Sequence, residues 1–446
     1  MTTASSSLKR SLGFWDSVAI NVGIVIGVGI FRTQGAIAHY VDSAPLILLT
    51  WLFGGGIALL GVLCYAELSS THPHTGGTYV YLREAYGRPV GFLFGWAEFS
   101  ILRAGSVAGV AYILAAYLKN FIPAAGEYER VTAIAAIVLF TGINIVGLHI
   151  GTRVQNALTI LKVAAIVGIA VTIFAVKGLP VPSASAFAGI RPAHFAGMAS
   201  ALIPVLWTYG GWHQSTFMSG EFKDTKKALP LSLVTGIAVV ALLYLLINTA
   251  YLQVLTPAQM AGTKAIASDI FGQLFGARGQ VLVTLAVLIS ASGALNSTIM
   301  TGARIPFAVA HDYPKLSWFT ALHPAFGTPL RCYVLNGLWA MMLVLWGNFE
   351  QLLFFFSFAN WFFFGLVGIS VFLLRRKYPQ AAGYDMMGYP WAPALFTLMS
   401  FTMCLITIQS TPRESAFGGF LLLSGLAVYA FFRGKPGAAK TVSSAS

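Results

Sequence analysis

The sequence predicts an all-α integral membrane protein, and composition is the first of three observations behind this prediction. Of the 446 residues, 57% are hydrophobic and only 9% are charged, whereas soluble domains carry about 25% charged residues. The second observation is a series of about twelve apolar runs, each near the roughly 20 residues that a transmembrane helix needs. The third is that glycines interrupt two of these runs near their middle. We therefore expect a single membrane domain of twelve transmembrane helices.

The apolar runs follow one another with links too short for a separate soluble domain. They are 14–40, 46–69, 88–118, 131–149, 154–176, 198–221, 230–252, 279–308, 329–346, 351–375, 392–410 and 416–432. The excess of 27 Lys and Arg over 14 Asp and Glu would favour nucleic-acid binding in a soluble protein. Here most of these cations fall in links that are cytoplasmic if the N-terminus is inside. The bias predicts that the tails, 1–11 and 434–446, are both cytoplasmic, and no nucleic-acid partner is expected.

The first run is interrupted by three glycines, Gly23, Gly27 and Gly29. Glycine is costly inside a helix because it loses the most backbone entropy. In lipid, a broken helix is tolerated only where its free backbone groups are buried in protein or face a water-filled cavity. The glycines therefore predict two half-helices with a binding site between them. The alternative is a helix-packing face, because Gly23 and Gly27 are four residues apart.

The sixth run carries a second interruption, the adjacent pair Gly210 and Gly211. If runs one to five and six to ten form two repeats, 14–176 and 198–375, the two interruptions occupy equivalent positions. An odd number of spans inverts the second repeat, and paired broken helices are typical of transporter binding sites. The last two runs, within 392–432, would be extra helices.

A gap between two broken helices can recognise both ends of an α-amino acid. Free amides at residues 28–30 can bind a carboxylate, as a helix N-terminus does. Free carbonyls near Val25, Trp207 and Gly210 can accept hydrogen bonds from an ammonium group. The predicted substrate is therefore a zwitterionic amino acid.

Charged residues inside the runs need partners. Lys162 lies about 12 Å from the cytoplasmic end of the fifth run. It either extends towards the surface or acts as an internal cation that ties carbonyls of the first run to a hydroxyl of the eighth, where a sodium ion would otherwise bind. Glu98 and Arg103 are five residues apart, which is too far round an α-helix for an ideal pair. We expect them to have structural roles or partners on other helices.

The sequence gives little indication of a metal, a cofactor or an enzyme. Cys64, Cys332 and Cys404 lie in apolar segments without metal-ligand spacing, and His72 and His74 alone are a weak metal signal. The runs contain no paired catalytic carboxylates and no nucleophile elbow. A channel is disfavoured because two interrupted spans predict an occluded site.

Several motifs together resemble the amino acid–polyamine–organocation (APC) superfamily. Residues 27–31, Gly-Val-Gly-Ile-Phe, are similar to its unwound Gly-Ser-Gly-Ile-Phe segment. Further motifs resemble its L-type amino acid transporter branch; they are residues 64–68, 76–79, 209–212, 229–231 and 356–361. The resemblance runs from about 12 to 432. It implies the leucine-transporter fold, with two inverted five-helix repeats that work by alternating access, and sodium-independent exchange or facilitated transport.

The resemblance also assigns site residues. Taken together, the interruptions, the resemblance and the departures from the family pattern predict the substrate-binding residues Val25, Gly27, Val28, Gly29, Ile30, Trp207, Gly210, Gly211, Gln214 and Asn360. The gating and coupling residues would be Trp207 as an aromatic gate, Lys162 as the cation that stands in for sodium, and Ser290 as its partner.

Departures from the family pattern leave the substrate side chain open. Val28 replaces the usual serine, and His213 and Gln214 stand where asparagine and tyrosine are more usual. Arg32, just after the first interruption, is also unusual. The loop 121–130 has no cysteine, although animal relatives are disulfide-linked there to a glycoprotein subunit. We therefore expect a bacterial inner-membrane protein without such a subunit.

The prediction is a sodium-independent exchanger, or a uniporter, of neutral L-amino acids. Proton-coupled uptake, with Lys162 or Glu98 titrating, is the alternative.

Overall fold

The computed structural model of the chain describes residues 8–178, 192–263, 265–346, 349–381 and 383–433. Of the predicted tails, only residues 8–11 fall within this part. The helices are α1 (Phe14–Val25), α2 (Gln34–Tyr40), α3 (Ala44–Thr71), α4 (Thr78–Tyr86), α5 (Arg88–Ala97), α6 (Arg103–Leu118), α7 (Ala124–Glu127), α8 (Glu129–Ile145), α9 (Leu148–Lys177), α10 (Pro192–Thr208), α11 (Ala228–Tyr251), α12 (Pro257–Ala261), α13 (Ile266–Gly302), α14 (Arg304–Asp312), α15 (Leu330–Trp346), α16 (Phe349–Lys377), α17 (Trp391–Ser410) and α18 (Pro412–Phe432).

Helices occupy every predicted apolar run. Within the described residues, eight helical segments are long and apolar enough to cross a membrane. Shorter apolar helices cover Phe14–Val25, Ala196–Thr208 and Leu330–Trp346. The chain is therefore a multi-pass, all-helical membrane protein.

Both predicted interruptions are present. In the first run, α1 ends at Val25, a 3-10 turn covers Gly29–Phe31, and α2 begins at Gln34. In the sixth run, α10 ends at Thr208 and a 3-10 segment follows at Gln214–Glu221. Each of these runs thus consists of two helical pieces joined by a segment that is not α-helical, here called the open segment. It covers residues 26–33 in the first run, including the 3-10 turn, and residues 209–213 in the sixth.

The glycines of the first run have different roles. The helix α1 continues through Gly23, where a side chain would collide with Gln155 of α9. Gly27 lies in the non-helical stretch that follows α1, and Gly29 begins the 3-10 turn. The packing interpretation therefore holds at Gly23, and the unwinding interpretation holds at the other two glycines.

The interrupted helices lie among the other helices. The half-helix α1 packs mainly against α11, α9 and α13, and α2 packs against α10 and α12. This arrangement surrounds the open segments with protein, as broken helices in a membrane require.

Candidate functional site

The open segment after α1 offers backbone donors. The amide of Gly27 donates to the carbonyl of Val25 at 2.7 Å. The next three amides, those of Val28, Gly29 and Ile30, meet no hydrogen-bond acceptor in the described part of the chain. All three residues are buried. These amides are therefore available to an anionic group.

Lys162 of α9 binds the end of α1 directly. Its ammonium group is fully buried and donates to the carbonyls of Gly23 and Ile26, both at 2.8 Å, and to the carbonyl of Ser290 at 3.1 Å. The C-terminal end of a helix carries partial negative charge, which favours a cation there. The side chain does not extend to the surface, and it links α1, α9 and α13.

Ser290 takes part in this contact differently from the expectation. Lys162 binds the carbonyl of Ser290, whereas the Ser290 hydroxyl shares its single proton between the carbonyls of Ile26 at 3.0 Å and Gly27 at 2.9 Å. An ammonium and a hydroxyl are both donors, so both turn to the free carbonyls of the open segment. Two side chains on different helices thus hold the same piece of backbone.

Tyr244 of α11 connects the two interruptions. Its hydroxyl lies 2.8 Å from the carbonyl oxygen of Val25 and 3.1 Å from that of Thr208, the last residue of α10. The Val25 oxygen thereby accepts from both Gly27 and Tyr244, which uses its two lone pairs. Because one hydroxyl proton is shared between the two carbonyls, Tyr244 fixes the ends of α1 and α10 relative to each other.

The two interruptions are also in direct contact. A side chain at Gly29 would lie 2.9 Å from the Thr208 side chain and 3.1 Å from the Trp207 ring. The hydroxyls of Thr33 and Thr208 are 3.0 Å apart. The predicted gate residue Trp207 thus packs on the open segment of the first run.

Gly210 and Gly211 shape the second interruption. The amide of Gly210 donates to the Trp207 carbonyl at 3.0 Å. Gly211 has a φ of +103°, which favours glycine. A side chain there would collide with Ile24 of α1. The backbone needs a glycine at Gly211 both for its conformation and for the close approach of α1.

Gln214 belongs to a buried polar cluster. Its side-chain oxygen accepts from Arg103 at 2.6 Å, and Arg103 also binds Glu98 at 3.0 Å. The expectation that five residues are too far apart for Glu98 and Arg103 to pair is wrong, whereas the expected partner on another element is present for Arg103 in Gln214. A π-helical turn at Glu98–Leu102 brings residues five apart onto one face, which an α-helix does not do.

Two predicted positions lie away from these contacts. His213 is buried among aromatic rings, including those of Tyr65, Phe217 and Phe364. Asn360 is half-buried on α16. Within the described residues, no hydrogen bond joins Asn360 to either open segment. The structure therefore brings together the predicted residues of the two interruptions, together with Lys162 and Ser290.

Comparison with known proteins decides the family. A family model described as amino acid permease matches residues 12–432. The chain belongs to the amino acid permease family. The family match confirms the resemblance that the motifs indicated.

Curated relatives of this permease match it over nearly its whole length. The b(0,+)-type amino acid transporter 1 of Mus musculus is 29% identical over 439 residues, 96% of this chain and 89% of the relative. The serine/threonine exchanger SteT of Bacillus subtilis (strain 168) is 28% identical over 435 residues, 96% of this chain and 98% of the relative. The Asc-type amino acid transporter 1 of Homo sapiens is 26% identical over 442 residues, 96% and 84% respectively.

Two residues of the candidate site were not predicted from the sequence. Tyr244 lies in an apolar run, where a tyrosine by itself does not indicate a functional role. The hydroxyl of Thr208, which also donates to the carbonyl of Pro204 at 2.8 Å, was not considered. The available signal was weak: both are polar side chains near the middle of their runs, at the depth of the glycines.

Proposed function

We propose that this permease is a sodium-independent exchanger of neutral L-amino acids that works by alternating access. The fold would be that of the leucine transporter, with inverted repeats 14–176 and 198–375 and both termini in the cytoplasm. The observation that carries the proposal is the contact of Lys162 with the carbonyls of Gly23 and Ile26. A sodium ion would need such backbone oxygens, and here a fixed ammonium occupies them.

The substrate carboxylate would bind the amides of residues 28–30, which are buried and without acceptors in the described part of the chain. The ammonium group of the substrate would bind the carbonyl of Trp207, which accepts one hydrogen bond from Gly210 and keeps a second lone pair. The carbonyl of Val25 would serve only if the Tyr244 hydroxyl turned wholly to Thr208. Recognition of the two charged ends leaves the side chain to set selectivity.

The names of the relatives support exchange and the substrate class. One is a serine/threonine exchanger, and others are Asc-type and b(0,+)-type amino acid transporters. Gln214, at the second open segment, offers a polar contact for a hydroxylated side chain. Cys64, Cys332 and Cys404 are free and buried, so we infer that the permease works without a disulfide-linked subunit.

The experiment is uptake of radiolabelled serine, threonine, alanine and leucine into proteoliposomes. The vesicles are either loaded with unlabelled amino acid or empty, and they are assayed in sodium, in choline and under an inward proton gradient. We expect uptake into loaded vesicles only, at equal rates in the three conditions. Uptake into empty vesicles driven by sodium or by the proton gradient would contradict the proposal and favour symport.

A further inference from the structure

Helix α9 presents a polar face to α1 besides Lys162. Gln155, Thr159 and Lys162 are spaced four and three residues apart, which places them on one side of the helix. The Thr159 hydroxyl donates to the carbonyl of Ala19 in α1 at 2.9 Å. This contact lies nearly two turns before the end of α1, away from the open segment and the predicted substrate site.

Thr159 is the last side chain of a hydrogen-bonded chain through four helices. Asn144 of α8 donates to Asn296 of α13 at 2.8 Å, and Asn296 donates to Gln155 of α9 at 3.0 Å. Gln155 donates to the Thr159 oxygen at 3.1 Å, and Thr159 donates to Ala19. All four side chains are buried, so the chain is shielded from competing water.

The Ala19 carbonyl fixes the donor-to-acceptor direction of every hydrogen bond in this hydrogen-bonded chain. A main-chain carbonyl can only accept, so Thr159 must donate its single proton to Ala19 and must accept from Gln155. Gln155 therefore turns its NH₂ group to Thr159 and its oxygen to Asn296, and the same logic orients Asn296. Hydrogen bonds aligned in this way strengthen one another.

The close approach of α1 and α9 supports the same contact. A side chain at Gly23 would collide with Gln155 and would lie 2.5 Å from the Thr159 hydroxyl. On another side of α1, Ile20 and Ile24 pack in an apolar cluster with Met218. The first half-helix is thus held by directional polar bonds on one side and by apolar packing on another.

We propose that Thr159 is a positioning residue that holds the first half-helix, α1, against α9. The chain through Gln155, Asn296 and Asn144 orients its hydroxyl. The three supporting residues lie on α8, α9 and α13, so their hydrogen bonds persist when α1 moves away, and Thr159 stays ready to bind Ala19 again. This inference rests on the proposed alternating-access function, because it assigns Thr159 to the movement of that half-helix.

The test measures exposure of α1 without transport. Ile20, which is fully buried, is replaced by cysteine in a background where Cys64, Cys332 and Cys404 are alanine. Labelling by an impermeant maleimide is followed in lipid nanodiscs without substrate. Thr159→Val keeps the shape and removes the hydroxyl, and we expect it to raise the labelling rate about fivefold, since one net hydrogen bond is lost.

Two control variants make the result specific. Thr159→Ser keeps the hydroxyl and should label at the parent rate. Thr172→Val removes an exposed hydroxyl whose one hydrogen bond among the described residues is to the Gly168 carbonyl of the same helix, at 2.7 Å, and should also label at the parent rate. A parent rate in Thr159→Val, or an equal rise in either control, would overturn the proposal. If Thr159→Val does not fold, Thr159→Ala removes the same hydroxyl.

Exchange kinetics give a second readout. They also distinguish failure of this inference from failure of the proposed function. Thr159→Val should lower the maximal exchange rate severalfold and leave KM within about twofold, and Thr159→Ser should restore the rate. A raised KM with an unchanged rate would overturn the positioning role. If the parent showed no exchange at all, the proposed function would fail, while the labelling comparison would still decide the contact with Ala19.

Discussion

A single hydroxyl joins the two open segments of this permease. Tyr244 is fully buried, and its oxygen lies within hydrogen-bonding distance of the Val25 and Thr208 carbonyls. A buried acceptor that loses its donor costs about 1–3 kcal/mol. Tyr244 therefore bears on both the stability and the geometry of the site.

We predict that Tyr244→Phe lowers both the melting temperature in detergent and the affinity for substrate. The variant leaves two carbonyls without their shared donor, and the ends of α1 and α10 lose the hydroxyl that joins them. Thermal unfolding and substrate titration measure the two effects. Tyr251→Phe is the matched control, since Tyr251 is a buried tyrosine of the same helix whose hydroxyl has no partner within the described residues. Equal effects in both variants would contradict this role of Tyr244.

Gly29 provides the second prediction at this scale. Gly29→Ala places a methyl group within 3.1 Å of Thr208 and Trp207 and presses on the amides proposed to bind the carboxylate. We expect substrate affinity to fall about tenfold or more, because a single lost charge-assisted hydrogen bond costs that much. The control is Gly56→Ala in α3, where an added methyl group meets open space. Retained affinity in Gly29→Ala would contradict the proposal that the amides of residues 28–30 bind the substrate carboxylate.

At the scale of helices, a buried ion pair holds the segment that follows the second interruption. Arg304 of α14 binds both carboxylate oxygens of Glu221, each at 2.8 Å, and also contacts Tyr333. Their side chains are 0% and 2% exposed. The carbonyl of Glu221 accepts from the amides of Ser11 and Leu12. One residue thus connects the N-terminal segment, the sixth run and α14.

Removal of one partner should be worse than removal of both. Arg304→Met leaves the Glu221 carboxylate buried and unpaired, which costs about 3–5 kcal/mol, whereas a double replacement with apolar residues is close to neutral. We therefore predict a lower melting temperature for Arg304→Met and recovery in Arg304→Met with Glu221→Leu. Asp385→Asn, at an ion pair whose acidic side chain is 91% exposed, is the control and should change stability by less than about 1 kcal/mol. No recovery in the double variant would contradict the account.

The sequence predicted the helical pieces well because their signals are local. The open segments follow from Gly27, Gly29 and the pair at 210–211, since glycine acts on its own backbone. Lys162 was identified because a lysine deep in an apolar run needs partners. Each of these signals can be recognised in the sequence without knowing which helices are neighbours.

Other features depended on packing that the sequence does not display. The pairing of Glu98 with Arg103 needs one π-helical turn, which shifts the register by a single residue. The roles of Tyr244 and Ser290 depend on which helix faces the open carbonyls. Thr159 looked like an ordinary polar residue until its distance to Ala19 was known. Apart from the contact of Lys162 with the first run, contacts between distant runs therefore had to come from the structure.

At the scale of the whole molecule, Lys162 is the proposed coupling residue. It links α1, α9 and α13 through the carbonyls of Gly23, Ile26 and Ser290, and under the proposed function it stands in for a sodium ion. We predict that Lys162→Ala lowers the maximal exchange rate about tenfold or more while KM stays within about threefold, since coupling energies between elements span such factors. Lys177→Ala, an exposed lysine at the end of the same helix, is the control. Unchanged turnover in Lys162→Ala would contradict the coupling role.

The proposed function requires exchange without a coupling ion, which an efflux assay measures. Proteoliposomes are preloaded with a radiolabelled neutral amino acid and diluted into sodium or choline buffer, with and without unlabelled amino acid outside. We expect fast efflux only when amino acid is present outside, at the same rate in both buffers. Efflux that is equally fast without external amino acid, or that requires sodium, would contradict the proposed function.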